Sequence, residues 1–182
     1  MGNWYANITV SGPSQADVLA VLREWRRTAF VSVLSRGHVV IYDRDCRRMD
    51  GDDSERLAAK LTAHFACTAL IALNADDDVL WLCAYDRGER VVEYDSSTPA
   101  RNGAIGLCRA MGRPLLTPIL WLVLQGPFIF AVFRHMTVCR VFGLPADLCT
   151  HGYPGEDDGT LIDDVLPDLF QATRDRSADG PG

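Results

Sequence analysis

The chain has 182 residues, which is enough for one ordinary domain and short for two. Its 48% hydrophobic and 23% charged residues are typical of a globular protein that buries a core, and they exclude wholesale disorder. The net charge of −6 excludes a broad basic surface for a phosphate backbone, so we expect no nucleic-acid partner.

The N-terminal half of the sequence predicts alternating strands and helices. Residues 4–11 alternate apolar and polar side chains, which predicts a strand with one polar face. Pro13 suits the first turn of a helix over residues 14–27. A polar loop over 46–53 precedes a second amphipathic helix, for which Ser54 is the predicted cap. The remaining predicted strands cover residues 30–34, 38–43, 68–73, 79–85 and 90–95.

The order of these elements, β-α-β-β-α-β-β-β, predicts an α+β fold. We expect a ferredoxin-like βαββαβ core that is extended by a β-meander, with C-terminal helices packed on it. Residues 1–97 form the predicted sheet region, and residues 98–170 form a helical region of the same domain. The pattern predicts a short helix over 104–111 and a last turn within 161–170. Residues 171–182 lack core-forming side chains, which predicts a disordered tail.

An uncharged, largely apolar segment covers residues 115–133. Its 19 residues meet the length of a membrane-spanning helix. Gly126 and Pro127 interrupt it, and that pair is typical of one helix ending before another begins. We therefore predict two buried core helices, and we regard a membrane partner as disfavoured but still open.

Several short motifs follow one another in a fixed order along the chain. They are Asn3-Trp4-Tyr5, Asn74 followed by Asp76-Asp77-Asp78, Glu93-Tyr94-Asp95-Ser96, Arg134-His135 and Gly143-Leu144-Pro145. This series resembles a family of small uncharacterised bacterial proteins over residues 3–155. The resemblance implies a bacterial source and one domain, and it transfers no activity. The chain departs from the family's pattern after Ser97, because residues 115–130 are more apolar.

Acidic residues gather at one predicted end of the sheet. Asp76 and Asp78 fall in a turn, while Glu93 and Asp95 lie two apart on a strand, so their side chains share one face. Carboxylates this close raise one another's pKa or recruit a cation, and oxygen ligands suit Mg²⁺, Mn²⁺ or Ca²⁺. The favoured interpretation is turn chemistry, because Asp side chains bond to nearby backbone groups. A divalent-cation site at these four residues is the alternative.

His135 and Cys139 form the candidate catalytic pair, because they lie one helical turn apart. Core packing is the competing interpretation, since a free cysteine often behaves as a small buried hydrophobe. The sequence has no nucleotide-binding motif, so we predict no cofactor-binding residues. Four tyrosines are predicted on or near the sheet faces, namely Tyr5, Tyr42, Tyr85 and Tyr94.

The function predicted from the sequence is that of a small cytosolic interaction or regulatory module with a protein partner of unknown identity. One alternative is a divalent-metal-dependent hydrolase that uses the acidic residues, with His135 as a base. Another is a membrane-associated protein that uses residues 115–133. The N-terminus shows no signal-peptide pattern and no two of the six cysteines have C-x-x-C spacing, so we expect a reducing cytoplasm.

Overall fold

A computed structural model describes residues 2–48, 51–98, 102–128, 130–153 and 170–172. The strands are β1 Tyr5–Ser11, β2 Ala29–Ser32, β3 His38–Asp43, β4 Thr68–Ala75, β5 Val79–Asp86, β6 Glu89–Asp95 and β7 Phe170–Ala172. The helices are α1 Gln15–Glu24, α2 Asp52–Phe65, α3 Gly103–Ala110, α4 Thr117–Gln125, α5 Ala131–Phe142 and α6 Ala146–Cys149. The predicted α+β class is confirmed.

The strands form one antiparallel sheet with the order β6-β5-β4-β1-β3-β2-β7. In the central strand β1, Ile8 lies opposite Ile41 of β3 and Ile71 of β4. All three isoleucines are buried, because β-branched side chains pack well between neighbouring strands. The middle of the sheet is therefore the centre of the core.

Helices cover both faces of the sheet. On one face α1 and α2 bury their apolar stripes against β1, β3 and β4, and α3 to α6 cover the other face. The predicted polar face of β1 is wrong for this reason. Asn7 and Thr9 are both buried, since the chain around Cys149 packs directly over them.

The two N-terminal helices begin in different ways. Ser14 caps α1 through a capping box, in which the Asp17 N–H donates to Ser14 Oγ and the Ser14 N–H donates to the Asp17 carboxylate. The predicted cap at Ser54 is wrong, because α2 starts two residues earlier and buries Ser54. Gly51 precedes α2 with a φ of 81°, which favours glycine. The first residues of the predicted loop, 46–48, belong to a 3-10 helix, Asp45–Arg48.

Residues 115–133 contain a break between two helices, as predicted. Gly126 is extended at the end of α4, Pro127 follows it, and α5 begins at Ala131. The prediction that both helices are buried is wrong for α4, which buries only Leu120 and Leu124. Among the described residues, every helix is too short or too polar to span a membrane.

The edge strand β7 comes from the C-terminal part of the chain. It pairs with β2, where Val31 lies opposite Gln171. Residues 161–169, where a last turn is predicted, lie outside the described residues, as do residues 173–182. The tail predicted from residue 171 stays a prediction, although Gln171 and Ala172 belong to the strand.

Candidate functional site

Three of the four predicted acidic residues, Asp76, Asp78 and Asp95, lie at one end of the sheet, while Glu93 lies near the middle of the β5–β6 pair. Three residues, Asp76–Asp78, connect β4 and β5; Asp76 and Asp77 have positive φ values of 54° and 59°, and the Asp78 N–H donates to the Ala75 oxygen at 3.0 Å, which is the geometry of a tight turn. Asp95 lies opposite Trp81, close to this turn, and Glu93 lies opposite Cys83. Glu93 and Asp95 therefore share the sheet face on which α2 packs.

Local donors bind three of the four predicted carboxylates. Asp76 Oδ1 accepts from the Gly2 N–H at 2.9 Å, and Asp95 Oδ1 accepts from the Ser97 N–H at 2.7 Å. Glu93 Oε1 accepts from Trp81 Nε1 at 2.8 Å. Asp78 is exposed. Within the described ranges, no three His, Cys, Asp or Glu side chains are grouped so that they could hold a metal ion.

Asp77, which sequence reasoning did not select, is the most constrained of the three aspartates. Its Oδ2 accepts from the Asn3 N–H at 3.0 Å and from Asn3 Nδ2 at 2.8 Å, and its Oδ1 accepts from Asn74 Nδ2 at 2.9 Å. Burial acts to raise the pKa of Asp77, but hydrogen bonds from Asn74, Asn3 and the Val132 N–H outweigh burial and lower it.

The same residue holds the start of α5. The Ala131 N–H donates to the Asp77 backbone oxygen at 2.6 Å, so the turn supplies acceptors to N–H groups that have no partner within the helix. A negative charge is also favourable beside a helix N-terminus. Asp77 thus joins the N-terminal segment, the β4–β5 turn and α5.

His135 lies in a buried contact with Tyr5. The Tyr5 hydroxyl is 2.8 Å from His135 Nδ1, and the two rings stack with their centroids 5.7 Å apart. Burial lowers the pKa of His135 to about 4, and burial, with smaller contributions from Cys139 and Asp77, raises the pKa of Tyr5. We infer that the Tyr5 phenol stays protonated and that its O–H donates a hydrogen bond to the neutral imidazole of His135.

Cys139 contacts a second buried cysteine. A hydrogen bond to Cys149, together with burial, raises the pKa of the Cys139 thiol. The Cys149 sulfur also lies 3.4 Å from Thr9 Oγ1 on β1. A protonated thiol is a poor nucleophile, so this geometry supports a packing role for the predicted candidate Cys139.

Two buried asparagines border these contacts. Asn7 Nδ2 donates to the backbone oxygens of Cys149 and His151, which binds the chain after α6 to β1. Among the described residues, Asn7 Oδ1 and Asn74 Oδ1 have no hydrogen-bond partner. An unsatisfied buried oxygen costs about 1–3 kcal/mol. The Asn7 hydrogen bonds therefore join the C-terminal layer to the sheet, while the two unpaired amide oxygens reduce the stability that these contacts provide.

The four predicted tyrosines do not form an open surface. All four are at least 94% buried, since both faces of the sheet are covered. The Tyr42 hydroxyl donates to the Leu148 oxygen, and the Tyr94 hydroxyl donates to the Leu124 oxygen at 3.0 Å. These two bonds anchor α6 and α4 on the sheet.

A groove of about 480 Å³ opens between the N-terminus of α1 and the C-terminus of α2. Its lining residues are Ser11, Gly12, Pro13, Asp17, Phe65, Ala66, Cys67 and Thr68. Asp17 supplies the carboxylate in this set, and Ser14 binds it within the capping box. The groove is therefore unlike the carboxylate-lined cleft that the hydrolase hypothesis expects.

The outer face of α4 and its neighbours is apolar and exposed. We call this face the α4 surface; it consists of Leu115, Ile119, Trp121, Leu122, Phe130 and Phe133. These are six of the ten large hydrophobic residues that are exposed in the described part of the chain, so the exposure is concentrated in one segment. Leu115 and Leu122 are 92% and 64% exposed.

The sequence explains why these side chains point outward. Ile119 and Leu122 lie three residues apart in α4, which places them on one side of the helix, and Leu115 precedes them in the 3-10 turn Pro114–Leu116. Leu120 and Leu124 lie on the opposite side and are buried. Phe130 and Phe133 follow at the start of α5 and contact each other, with ring centroids 5.9 Å apart. Sequence reasoning selected this segment but assigned its side chains to the core.

No protein-family model, curated protein or solved structure matches this chain. The resemblance to a bacterial family therefore stays a prediction. What the protein does has to follow from its own surfaces and buried contacts.

Proposed function

We propose that the protein is a small interaction module that binds a protein partner through the α4 surface. The observation that carries the proposal is the exposure of six large apolar side chains within residues 115–133. Large exposed apolar patches often mark the sites where proteins bind other molecules, and six large apolar side chains are exposed within this one segment. Aromatic side chains such as Trp121 and Phe133 are also enriched where proteins bind one another.

The α4 surface is held in place before any partner arrives. Leu120 and Leu124 fix α4 to the core, and Tyr94 binds its last turn. Asp77 fixes the start of α5. A surface that is already ordered loses little conformational entropy on binding, and each leucine that becomes fully buried stabilises a complex by about 1.5–3 kcal/mol.

Two further properties belong to this proposal. A cytoplasmic location is supported by the six cysteines, which are all free thiols. A ferredoxin-like unit, extended by β5 and β6, is supported by the neighbouring order β4-β1-β3-β2 and by the two helices on one face.

The test compares Leu122→Glu with a matched control, Leu34→Glu. Both leucines are more than half exposed, so neither change should unfold the protein, but Leu34 lies in the β2–β3 hairpin, outside the α4 surface. Wild type and both variants serve as bait in a lysate of the source organism. The expected partner is recovered with wild type and Leu34→Glu, and it is lost with Leu122→Glu.

The recovered protein is then purified and its Kd is measured. We expect Leu122→Glu to raise the Kd by about 30-fold, which corresponds to about 2 kcal/mol. Equal Kd values for the two variants would contradict the proposal. Neutral vesicles that bind wild type and Leu34→Glu, but not Leu122→Glu, would show instead that the surface is membrane-associated.

A further inference from the structure

Positive charge is concentrated in the segment of the chain that carries the α4 surface. Residues 96–146, which include α3, α4 and α5, contain five arginines and no aspartate or glutamate, although the whole chain has a net charge of −6. The described arginines of this segment are Arg109, Arg113, Arg134 and Arg140. A segment without acidic residues is therefore set within an acidic protein.

Two of these arginines lie near the α4 surface along the chain. Arg113 comes two residues before Leu115, and Arg140 lies two helical turns after Phe133 on the same face of α5. The Arg134 guanidinium lies 5.6 Å from the Phe128 ring and donates to the Gly126 oxygen. Arg109, Arg113 and Arg140 are exposed.

Their charges have no carboxylate partner in the described part of the chain. None of the ion pairs found there includes Arg109, Arg113, Arg134 or Arg140. Outside residues 96–146, by contrast, Arg27 pairs with Asp43 and Arg90 pairs with Glu55. Arg109, Arg113 and Arg140 therefore present exposed charges that acidic groups from outside the molecule can meet, whereas Arg134 is half-buried and donates to the Gly126 oxygen.

We infer that the partner presents an apolar segment flanked by carboxylates to the α4 surface. This inference rests on the proposed function and specifies the chemistry of the partner. Complementary charges at the margin of an interface raise the association rate and exclude partners of the wrong charge. Carboxylates would meet Arg113 at one end of α4 and Arg140 along α5, while leucine-type side chains would cover Leu115, Ile119 and Leu122.

The charges also argue against two other occupants. In a symmetric dimer, two copies of the α4 surface would face each other, and arginines from both copies would meet without any acidic residue between them. An anionic membrane would attract the local arginines but repel a protein whose net charge is −6. An acidic protein segment has neither disadvantage.

The experiment uses two synthetic helical peptides of about 18 residues, which is five helical turns. Both carry the same leucine stripe at i, i+3, i+4 and i+7; one is flanked by glutamates and the other by lysines. Their binding to the full chain is measured by fluorescence anisotropy. We expect the glutamate peptide to bind wild type about tenfold more tightly, as a few surface ion pairs would produce, and added salt to reduce this ratio.

A charge-reversed protein provides the control. Arg113→Glu with Arg140→Glu changes two exposed residues outside the described ion pairs, so the fold should persist and the peptide preference should reverse. An unchanged preference would overturn the inference. So would stronger binding to phosphatidylserine vesicles than to either peptide. If both peptides bind equally and Leu122→Glu abolishes both, the acidic chemistry is wrong while the proposed function stands. If neither peptide binds, the inference is overturned, and the capture experiment alone decides the proposed function.

Discussion

Replacing Asp77 with alanine should destabilise the protein by about 4 kcal/mol. The change removes three side-chain hydrogen bonds to a buried carboxylate and leaves the buried Asn74 Nδ2 unpaired. Hydrogen bonds to charged groups contribute about 1.5–3 kcal/mol each and are not additive, so we take about 3 kcal/mol for the set. Alanine at a φ of 59° adds about 1 kcal/mol of backbone strain.

Asp76→Ala is the matched control, because Asp76 is the preceding residue of the same turn, has a φ of 54°, and is exposed. It carries the same backbone strain, and its hydrogen bonds to Gly2 and Trp4 are exposed, so we expect a loss of about 1 kcal/mol. Urea unfolding measures both variants, and the difference between their midpoints isolates the Asp77 carboxylate. Variants within about 1 kcal/mol of each other would refute the role assigned to Asp77.

The remaining predictions concern pH, packing and metals. The pKa of His135 is about 4 in the folded protein and near 6.5 in the unfolded chain. The stabilisation that follows from this difference is complete above pH 6.5, and the free energy of unfolding falls by about 3 kcal/mol as the pH decreases to 4. His135→Gln should lose this part of the pH dependence in urea unfolding at pH 7 and 5. Gly106→Ala should cost about 1–3 kcal/mol because its Cβ would collide with Val92, and adding Val92→Ala should recover part of the loss. The hydrolase alternative predicts that Mg²⁺, Mn²⁺ or Ca²⁺ raises Tm relative to EDTA in wild type but not in Asp78→Ala, and equal Tm values would contradict it.

Local signals predicted much of the secondary structure. The strand β3, His38–Asp43, has the predicted bounds, because the turn at residues 35–37 precedes its apolar run and charged residues follow it. The break at Gly126 and Pro127 also follows from backbone chemistry that acts within a few residues. In each case, the determining groups are neighbours in the sequence.

The errors arise where distant segments meet. Asn7 is buried by backbone groups more than 140 residues away, and Tyr5 contacts His135 across 130 residues. A period-two pattern records which residues of β1 are polar, but it does not show whether another layer covers them. For the same reason, the sequence identified Asp77 only as one of three aspartates, since its burial depends on Asn3 and α5.

The distribution of polar groups separates the structural residues from the functional surface. The buried groups that looked chemically reactive, His135 and Cys139, are uncharged and bound to other parts of the core. His135, Tyr94 and Asp77 bind the C-terminal helices to the sheet and its turn, and Cys139 joins α5 to α6 through Cys149. The buried Leu120 and Leu124 anchor α4, but the exposed fractions of its outer side chains, such as 64% for Leu122, add no hydrophobic stabilisation in the isolated chain. The arrangement becomes favourable when another molecule covers the α4 surface, and the arginines beside it define the charge which that molecule should carry.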